Sequence, residues 1–416
     1  MSIITDLTRM WLTRSVKPFT FRKEYDQLLP YEDCPDLGLY VHIPFCRTLC
    51  GFCPYCKEVY SPERMDRYLD ALIREIHLVG GQYPGKKRTT SLYFGGGTPA
   101  LAAGRLGEII AALEEHFLIT QGIGVELHPD DVTAPVLRTL RDAGVTKLSI
   151  GVQSFQEKYQ RLLGRAPADR RAMSQALAQA PFETVSMDLI FALPGQTFED
   201  LRADVDAAFQ TGGNHVAIYP FIDFTFTSSG IPPMGKGAKR ALLDQITRHC
   251  LEQGYVRTSI WTFSAGRAGY SSMTRDNFLG FGCSAATLLA RQFTSNTLSV
   301  DQYCGRLDGG DLPTALTLRF TLRQRMVYYL FWAAYSTRVS ARAFEEFFGI
   351  PLKKMYGFEL WLAERLGFIT QRDGVYEMTL KGAFYYHHYE NYYTLSYIDK
   401  MWGLMGRQAF PEGMEL

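Results

Sequence analysis

The segment YVHIPFCRTLCGFCPYC (residues 40–56) holds half of the cysteines in this chain of 416 residues. Four lie within eleven consecutive positions, namely Cys46, Cys50, Cys53 and Cys56. A secreted disulfide-rich protein is usually shorter, and its cysteines are spread more evenly along the chain. The clustering therefore indicates a metal or redox centre. The other four are scattered and are expected to be small buried side chains: Cys34, Cys250, Cys283 and Cys304.

The spacing C-x3-C-x2-C of Cys46, Cys50 and Cys53 favours an iron–sulfur cluster over zinc. A zinc ribbon uses two well-separated C-x2-C pairs, and the sequence has no second pair. Three thiolates on one loop can bind three irons of a [4Fe–4S] cluster, because each iron takes one thiolate. The fourth iron is then open to a substrate or a cofactor.

Outside this segment, short apolar strands alternate with amphipathic helices. We predict strands at 38–43, 90–94, 124–127, 147–152, 185–193 and 215–221. Helices are predicted at 61–80, 104–117, 134–144, 170–180 and 197–212, and a further helix at 236–254 ends the regular pattern. Such alternation predicts parallel strands joined by helical crossovers. Six units predict an α/β fold built on a partial (β/α)6 barrel.

From about residue 313 the pattern changes to two short helices followed by a hairpin with an Asp-Gly turn, a winged-helix outline. Winged helices often bind DNA, but this region lacks a strong basic excess, so we expect a lid or a partner-contacting domain. We predict an extended, partly irregular N-terminal lead-in (1–37), a barrel with its closing segment (38–300) and a C-terminal substrate or lid domain (301–416).

Composition excludes several classes of protein. The formal net charge is +1, so no broad surface for nucleic acid or acidic membranes is expected. The N-terminus has no apolar stretch of signal-peptide length, and no segment offers the roughly 18 apolar residues of a membrane span. We therefore expect a cytoplasmic protein.

Residues 40–56 resemble the signature of the radical S-adenosylmethionine (SAM) superfamily, and YVHIPFC is similar to the oxygen-independent coproporphyrinogen III oxidase family. Further motifs of that family follow in order: YFGGGTPA (93–100), GVELHP (124–129), KLSIGVQSF (147–155), SMDLIFALPGQT (186–197) and GYSSMTRDNFLGFGCSAATL (269–288). The resemblance spans roughly residues 38–300. It implies a radical SAM barrel, a [4Fe–4S] cluster whose open iron binds SAM, a second SAM molecule, and a flavodoxin- or ferredoxin-type reductant.

The resemblance also implies which residues contact the cofactors: Tyr40, Phe52, Gly96, Gly97, Thr98, Glu126, Gln153, Arg165, Asp188, Pro220 and Ala286. Of these, Gln153, Arg165 and Asp188 would bind the second SAM. An arginine and an aspartate at neighbouring strand ends suit a zwitterionic amino acid, because both can form charge-assisted hydrogen bonds with it.

Two features depart from the porphyrinogen oxidase, whose usual motif is C-x3-C-x2-C-x-C. Cys56 stands one position later, because Pro54 and Tyr55 replace a single spacer residue, and residues 1–37 do not match the long N-terminal arm of the oxidase. Class C radical SAM methyltransferases keep the second SAM site. We therefore predict transfer of a methyl or methylene group, by C-methylation or cyclopropanation, to an sp2 carbon of a flat unsaturated or aromatic small molecule.

Candidate residues for completing that reaction lie on loops at the barrel rim: Cys56, Tyr55, Glu126 and Tyr270. Cys56 is the first choice, because a thiol near the cluster can donate hydrogen or accept a proton. The alternative is that Cys56 takes no part in the chemistry.

Two other functions are compatible with the same motifs. One is a tetrapyrrole enzyme, either a coproporphyrinogen III dehydrogenase or a methyltransferase that opens haem by radical chemistry. The other is a haem chaperone without catalysis, which the presence of Gln153, Arg165 and Asp188 disfavours.

Overall fold

The computed structural model of the protein describes residues 3–23, 28–227, 229–266 and 276–416. Its centre is a run of six parallel strands: β1 (Leu37–Ile43), β2 (Leu92–Gly96), β3 (Ile123–Leu127), β4 (Lys147–Gln153), β5 (Thr184–Phe191) and β6 (His215–Pro220). Each strand pairs in parallel with the one before it along the chain. The predicted partial (β/α)6 barrel is confirmed, with strand ends shifted by no more than two residues.

Helices cover the outside of these strands: Pro62–Gly80, Ala103–His116, Ala134–Asp142, Glu157–Leu162, Arg170–Gln179, Phe198–Gln210 and Lys236–Glu252. The first of them buries Leu69, Leu72 and Ile76, whose spacing of three and four residues places them on one helix face. β1 is buried at six of its seven residues, as expected of a parallel strand that is covered on both sides.

A seventh parallel strand, β7 (Asn277–Phe281), pairs with the free edge of β1. Antiparallel strands extend the sheet beyond β7 in the order Ala286–Leu288, Gln292–Asn296, Thr314–Arg319, Thr20–Arg22 and Gly413–Glu415. Two short strands, Val256–Arg257 and Thr262–Ser264, lie at its other edge, beside β6. The sheet therefore joins the two termini of the chain.

The N-terminal segment differs from the extended lead-in that we predicted. Residues Ile3–Thr13 form a helix, which packs against the C-terminal helices Leu322–Tyr335 and Leu380–Tyr393. The strand Thr20–Arg22 pairs with Thr314–Arg319 and with Gly413–Glu415. This helix folds against partners about 300 residues away, so its local sequence alone did not reveal it.

The C-terminal region has the predicted winged-helix-like outline. Its helices are Val300–Asp308, Leu322–Tyr335, Ala341–Phe348, Leu352–Arg365, Leu380–Tyr393 and Asp399–Met405. The predicted hairpin consists of Ile369–Arg372 and Val375–Met378, and Arg338–Ser340 adds a third antiparallel strand. The domain boundaries at 37/38 and 300/301 remain predictions. Among the described residues, no helix is both long enough and apolar enough to cross a membrane.

Candidate active site

The three predicted cluster ligands lie on the loop between β1 and the helix Pro62–Gly80, at the carboxyl end of β1. A short parallel strand pair closes the base of this loop: the Glu58 N–H donates to Pro44 O at 2.7 Å, and the Tyr60 N–H donates to Cys46 O at 2.8 Å. Carboxyl ends of parallel strands are where α/β barrels form their active sites. We call residues 44–57 the cluster loop.

The thiols of Cys46, Cys50 and Cys53 fit a cluster better than a single ion. All three are half-buried. In the described structure, at least two of these three sulfurs are more than 4.8 Å apart, which is too far for the ligands of one ion. A cluster bonds each thiolate to a different iron, so its ligands stand further apart than those of one ion. Burial raises the pKa of Cys46 to about 11, and the positive charge of bound iron would favour its thiolate.

The glycine motif packs directly against the cluster loop. A Cβ on Gly97 would lie 2.7 Å from Phe45 O and 2.9 Å from Cys46 Sγ, so only glycine fits there. Gly96 has a φ of +124°, a conformation that other residues rarely adopt. The adjacent Thr98 hydroxyl donates a weak hydrogen bond to Cys46 Sγ at 3.7 Å. The motif therefore holds the loop in place as well as leaving room for a ligand.

Tyrosine and carboxylate side chains meet inside the barrel. Tyr93 Oη donates to one Glu126 oxygen at 3.0 Å, and the Gly96 N–H donates to the other at 3.0 Å. Tyr40 stacks beside Tyr93 on the neighbouring strand, with an interplanar angle of 15°. Burial, assisted by the charge of Asp188, raises the pKa of Glu126 to about 7. A ligand ammonium group here would favour the ionised carboxylate.

A second carboxylate faces the same interior. The Ser149 and Ser186 hydroxyls donate to separate oxygens of Asp188, at 2.8 and 3.1 Å. Burial raises the pKa of Asp188 to about 6. The two serines fix the orientation of the carboxylate without neutralising it, which suits a group that receives a positively charged ligand.

Of the other two residues predicted to bind the second SAM, Gln153 ends β4, and Arg165 follows the helix Glu157–Leu162 and reaches back to β4. Gln153 has a φ of +69°, an uncommon conformation for a non-glycine residue. Arg165 donates from Nη1 to Gly151 O at 2.5 Å, whereas its buried Nε has no hydrogen-bond partner within the described parts of the chain. An unpaired buried donor is costly unless a ligand satisfies it. The donor set fits an amino-acid ligand.

The remaining predicted residues are dispersed around the rim. Phe52 packs among apolar side chains at the carboxyl ends of β5 and β6, including Ile190 and Phe221. Pro220 ends β6, and Ala286 begins the strand that follows β7. Tyr270 lies outside the described residues. The assignments of these residues to the cofactors remain predictions.

The Cys56 sulfur contacts residues that are distant in the sequence. It lies 3.7 Å from Cys283 Sγ and 3.2 Å from Leu298 O. His42 lies beside this pair, and its Nε2 is 3.1 Å from Cys56 O. Sequence reasoning assigned no role to His42 and treated Cys283 as an inert side chain. The sequence did contain a signal for His42, because it lies two residues after Tyr40 and therefore on the same face of the strand. No local sequence feature indicated that Cys283 would lie beside Cys56.

A cavity of about 400 Å³ opens beside the cluster loop. Its lining includes Cys50, Cys53 and Cys56 of the cluster loop and, from distant parts of the chain, Phe226 and Trp402. The Tyr55 side chain is 56% exposed, and its ring centroid lies 5.7 Å from that of Trp402. Aromatic rings around an open space are suited to a flat apolar ligand.

The chain resembles known proteins over most of its length. A model described as the radical SAM superfamily matches residues 40–208. The haem chaperone HemW of Bacillus subtilis is 25% identical over 362 residues, which cover 82% of this chain and 95% of the relative. The oxygen-independent coproporphyrinogen III oxidase of Pseudomonas aeruginosa is 26% identical over 325 residues, which cover 69% of this chain and 70% of the relative.

A solved structure shares the fold. Coproporphyrinogen III oxidase (HemN) from Escherichia coli superposes with a TM-score of 0.75 and 23% identity, covering 91% of this chain and 95% of the other. The superfamily match supports the predicted [4Fe–4S] cluster and SAM as cofactors, and the solved structure is itself described as a radical SAM enzyme. The binding of a second SAM molecule remains a prediction. The donor sets around Cys46, Glu126 and Asp188 fit these groups.

These relatives overturn the predicted reaction. Transfer of a methyl or methylene group is wrong, because the relatives that align with most of the chain are named as tetrapyrrole oxidases and haem chaperones. That prediction rested in part on Cys56, which stands one position later than the fourth cysteine of the oxidase motif. In the structure its sulfur is turned towards Cys283, so the displacement has an explanation within the chain itself. Residues 40–208 therefore carry a radical SAM domain, and the chain resembles the oxygen-independent coproporphyrinogen III oxidases and their haem-chaperone relatives, as the motifs predicted.

Proposed function

We propose that this protein is a radical SAM oxidoreductase that acts on a tetrapyrrole of the coproporphyrinogen class. The observation that carries the proposal is the pair of oriented carboxylates inside the barrel. Glu126 and Asp188 each accept two hydrogen bonds from the protein, and both have a raised pKa. Two such positions beside the cluster loop fit two SAM molecules, which a chaperone without catalysis would not consume.

Each part of the site has a physical task in this function. When bound, the cluster and SAM supply a radical that abstracts hydrogen from an unactivated carbon. Glu126 orients the SAM nearer to the cluster, and Asp188 and Arg165 orient the second. The close packing of Gly97 on Cys46 keeps the cluster loop at a fixed distance from these ligands. Orientation of this kind lowers the entropic part of the barrier.

The cavity beside the cluster loop supports the choice of substrate class. Phe226, Trp402 and Tyr55 offer aromatic surfaces to a flat ring system. Lys57 also lines the cavity, where its ammonium donates to Cys53 O and supplies a positive charge that a carboxylate-bearing side chain of a porphyrinogen would contact. The ring faces supply apolar contact area, and the charge selects an acidic substrate.

A haem chaperone is the second candidate, because the Bacillus subtilis chaperone aligns over 95% of its own length. The same cavity would then hold haem, and Cys56, which lines it, would supply a thiolate ligand to the haem iron. Both functions use the same aromatic surface, so binding alone does not separate them.

Turnover separates the two candidates. The anaerobic, cluster-reconstituted protein is mixed with SAM, dithionite and coproporphyrinogen III, and 5′-deoxyadenosine and carbon dioxide are measured. We expect both products to depend on the porphyrinogen. Asp188→Asn should abolish this dependence, whereas the matched control Asp373→Asn, at an exposed hairpin turn, should not. Haem binding without porphyrinogen-dependent 5′-deoxyadenosine would establish the chaperone instead.

The proposal includes the reductant of the cluster and the cellular compartment of the protein. A flavodoxin- or ferredoxin-type protein would reduce the cluster, because the chain itself shows no sequence motif for a second electron carrier. The free thiols of the site need a reducing environment, which the cytoplasm provides. Replacement of dithionite by a reduced flavodoxin in the assay above tests the reductant, and loss of 5′-deoxyadenosine formation would count against it.

A further inference from the structure

Two thiols from distant parts of the chain meet at the edge of the cluster loop. Cys56 closes that loop, and Cys283 follows β7, 227 residues later. Their sulfurs are 3.7 Å apart. Cys283 is fully buried, whereas Cys56 is half-buried and lines the cavity of about 400 Å³. A small molecule can therefore reach Cys56 first.

The surroundings favour sulfur chemistry over metal binding at this pair. The ligand atoms of His42, Cys56 and Cys283 all lie within 4.8 Å of one another, which would suit a metal ion. However, both ring nitrogens of His42 already have partners: Tyr40 Oη lies 3.0 Å from Nδ1, and Cys56 O lies 3.1 Å from Nε2. Bond formation between the two sulfurs gives up only the contacts of Cys56 Sγ with Cys283 Sγ and Leu298 O, whereas metal binding would also break a hydrogen bond of His42.

We propose that Cys56 and Cys283 form a reversible disulfide in exchange with a small-molecule disulfide such as oxidised glutathione. The inference does not rest on the proposed tetrapyrrole chemistry. A disulfide has a sulfur–sulfur bond of about 2.05 Å, so the pair must close by about 1.7 Å. Rotation of the Cys56 side chain on its loop can supply this movement.

The two thiols have different tasks in the exchange. The hydrogen bond from Cys283 and the proximity of His42 lower the pKa of Cys56, whereas burial raises the pKa of Cys283. Cys56 is therefore the attacking thiolate, and Cys283 keeps its proton until it resolves the intermediate.

The reaction balances with one equivalent of the small disulfide. The Cys56 thiolate attacks one sulfur of oxidised glutathione, which breaks the S–S bond and releases a glutathione thiolate. Cys283 gives its proton to that thiolate and attacks the Cys56 sulfur, which releases the second glutathione. The second glutathione leaves as a thiolate and takes from solvent the proton that Cys56 released on ionising. The two protein thiols thus lose two electrons and two protons, and the oxidant gains them.

The backbone around Cys283 is rigid, so the movement falls on the cluster loop. The Cys283 N–H donates to Tyr68 Oη at 3.0 Å, and the preceding Gly282 N–H donates to Glu75 Oε2 at 2.7 Å. Cys53 lies three residues before Cys56. The disulfide would therefore tether the end of the cluster loop to the segment that follows β7.

Mass spectrometry tests the disulfide in the holoprotein. The reconstituted protein is incubated without oxygen with oxidised glutathione, quenched in N-ethylmaleimide under denaturing conditions, and digested. We expect a cross-linked peptide joining Cys56 to Cys283 that disappears after dithiothreitol treatment. In Cys283→Ser, Cys56 should instead keep a mixed disulfide with glutathione.

A matched variant makes the result specific. Cys304→Ser removes another buried thiol, 2% exposed, and should give the same cross-linked peptide as the unaltered chain. The proposal is overturned if the unaltered chain yields only Cys56 modified by glutathione, to the same extent as Cys283→Ser. A cross-link from Cys56 to Cys46, Cys50 or Cys53 in place of Cys283 would also overturn it.

Discussion

The two ends of the cluster loop use the same side chain in different ways. Cys46, at the start, is held by the glycine motif and by the Thr98 hydroxyl. Cys56, at the end, has no such contact with the glycine motif in the described structure, and its sulfur lies beside Cys283. Thiols ten residues apart therefore belong to different environments. Spacing along a loop indicates which thiols can share a cluster, and tertiary contacts decide what the others do.

The largest expected effect is loss of the cluster from the first three positions. Cys46→Ala, Cys50→Ala and Cys53→Ala should each lose the cluster and all SAM cleavage, because each removes one of three thiolate ligands. Cys56→Ala should keep a full complement of iron. Iron and sulfide analysis of the reconstituted variants measures this, and iron loss in Cys56→Ala would remove the distinction between the two ends.

A methyl group added to the glycine motif should disturb the start of the cluster loop, around Cys46, and leave Cys56 unaffected. Gly97→Ala introduces a Cβ that would lie 2.7 Å from Phe45 O, and overpacking of this kind costs about 1–3 kcal/mol. We expect a lower iron content and a lower thermal midpoint. Gly104→Ala is the control, because a Cβ there meets no atom within 4 Å. Equal behaviour of the two variants would contradict the close packing.

The backbone next to Cys283 is held in place by the buried carboxylate of Glu75. Glu75 accepts hydrogen bonds from Tyr303 Oη at 2.6 Å, the Gly282 N–H at 2.7 Å and Asn296 Nδ2 at 2.8 Å. Glu75→Gln replaces one acceptor oxygen by a donor, which should lower the free energy of unfolding by about 1–3 kcal/mol. Denaturant unfolding measures it. Glu63→Gln, at an exposed position of the same helix, should change the free energy of unfolding by at most a few tenths of a kcal/mol. A loss in this control as large as that in Glu75→Gln would argue against the hydrogen-bond network.

Buried carboxylates also give the ligand-free protein a pH dependence. Burial raises the pKa of Glu126 to about 7, above its unfolded value near 4.3, so the folded state binds more protons between these values. Stability should therefore fall as the pH rises from about 4.3 to 7. Glu126→Gln should flatten part of this slope in unfolding experiments at several pH values. An unchanged slope would show that Glu126 is already ionised.

The smallest expected effect concerns the reactivity of Cys56. Cys283→Ala removes the thiol that hydrogen-bonds to Cys56, so the pKa of Cys56 should rise. Alkylation of Cys56 by iodoacetamide should then need a higher pH, while the cluster content stays unchanged. A pH profile identical to that of the unaltered chain would show that Cys283 does not influence Cys56.

The parts of the protein that local sequence could predict are those with local causes. β1 to β6 were predicted because apolar runs between turn residues identify buried parallel strands, and the ligand spacing identified the cluster loop. The helix Ile3–Thr13 was missed because its partners are the C-terminal helices. The pairing of Cys56 with Cys283 was missed for the same reason, since 227 residues separate them. The reaction was mispredicted because one displaced cysteine was taken as evidence about the substrate.

Electron paramagnetic resonance of reduced Cys56→Ala protein, with and without SAM, tests the division of the thiols most directly. If Cys46, Cys50 and Cys53 are the only protein ligands, the variant keeps a [4Fe–4S] signal, and SAM changes that signal by binding the open iron as it does in the unaltered chain. A lost signal, or one that responds to SAM only in the variant, would show that Cys56 is the fourth ligand and would contradict the account.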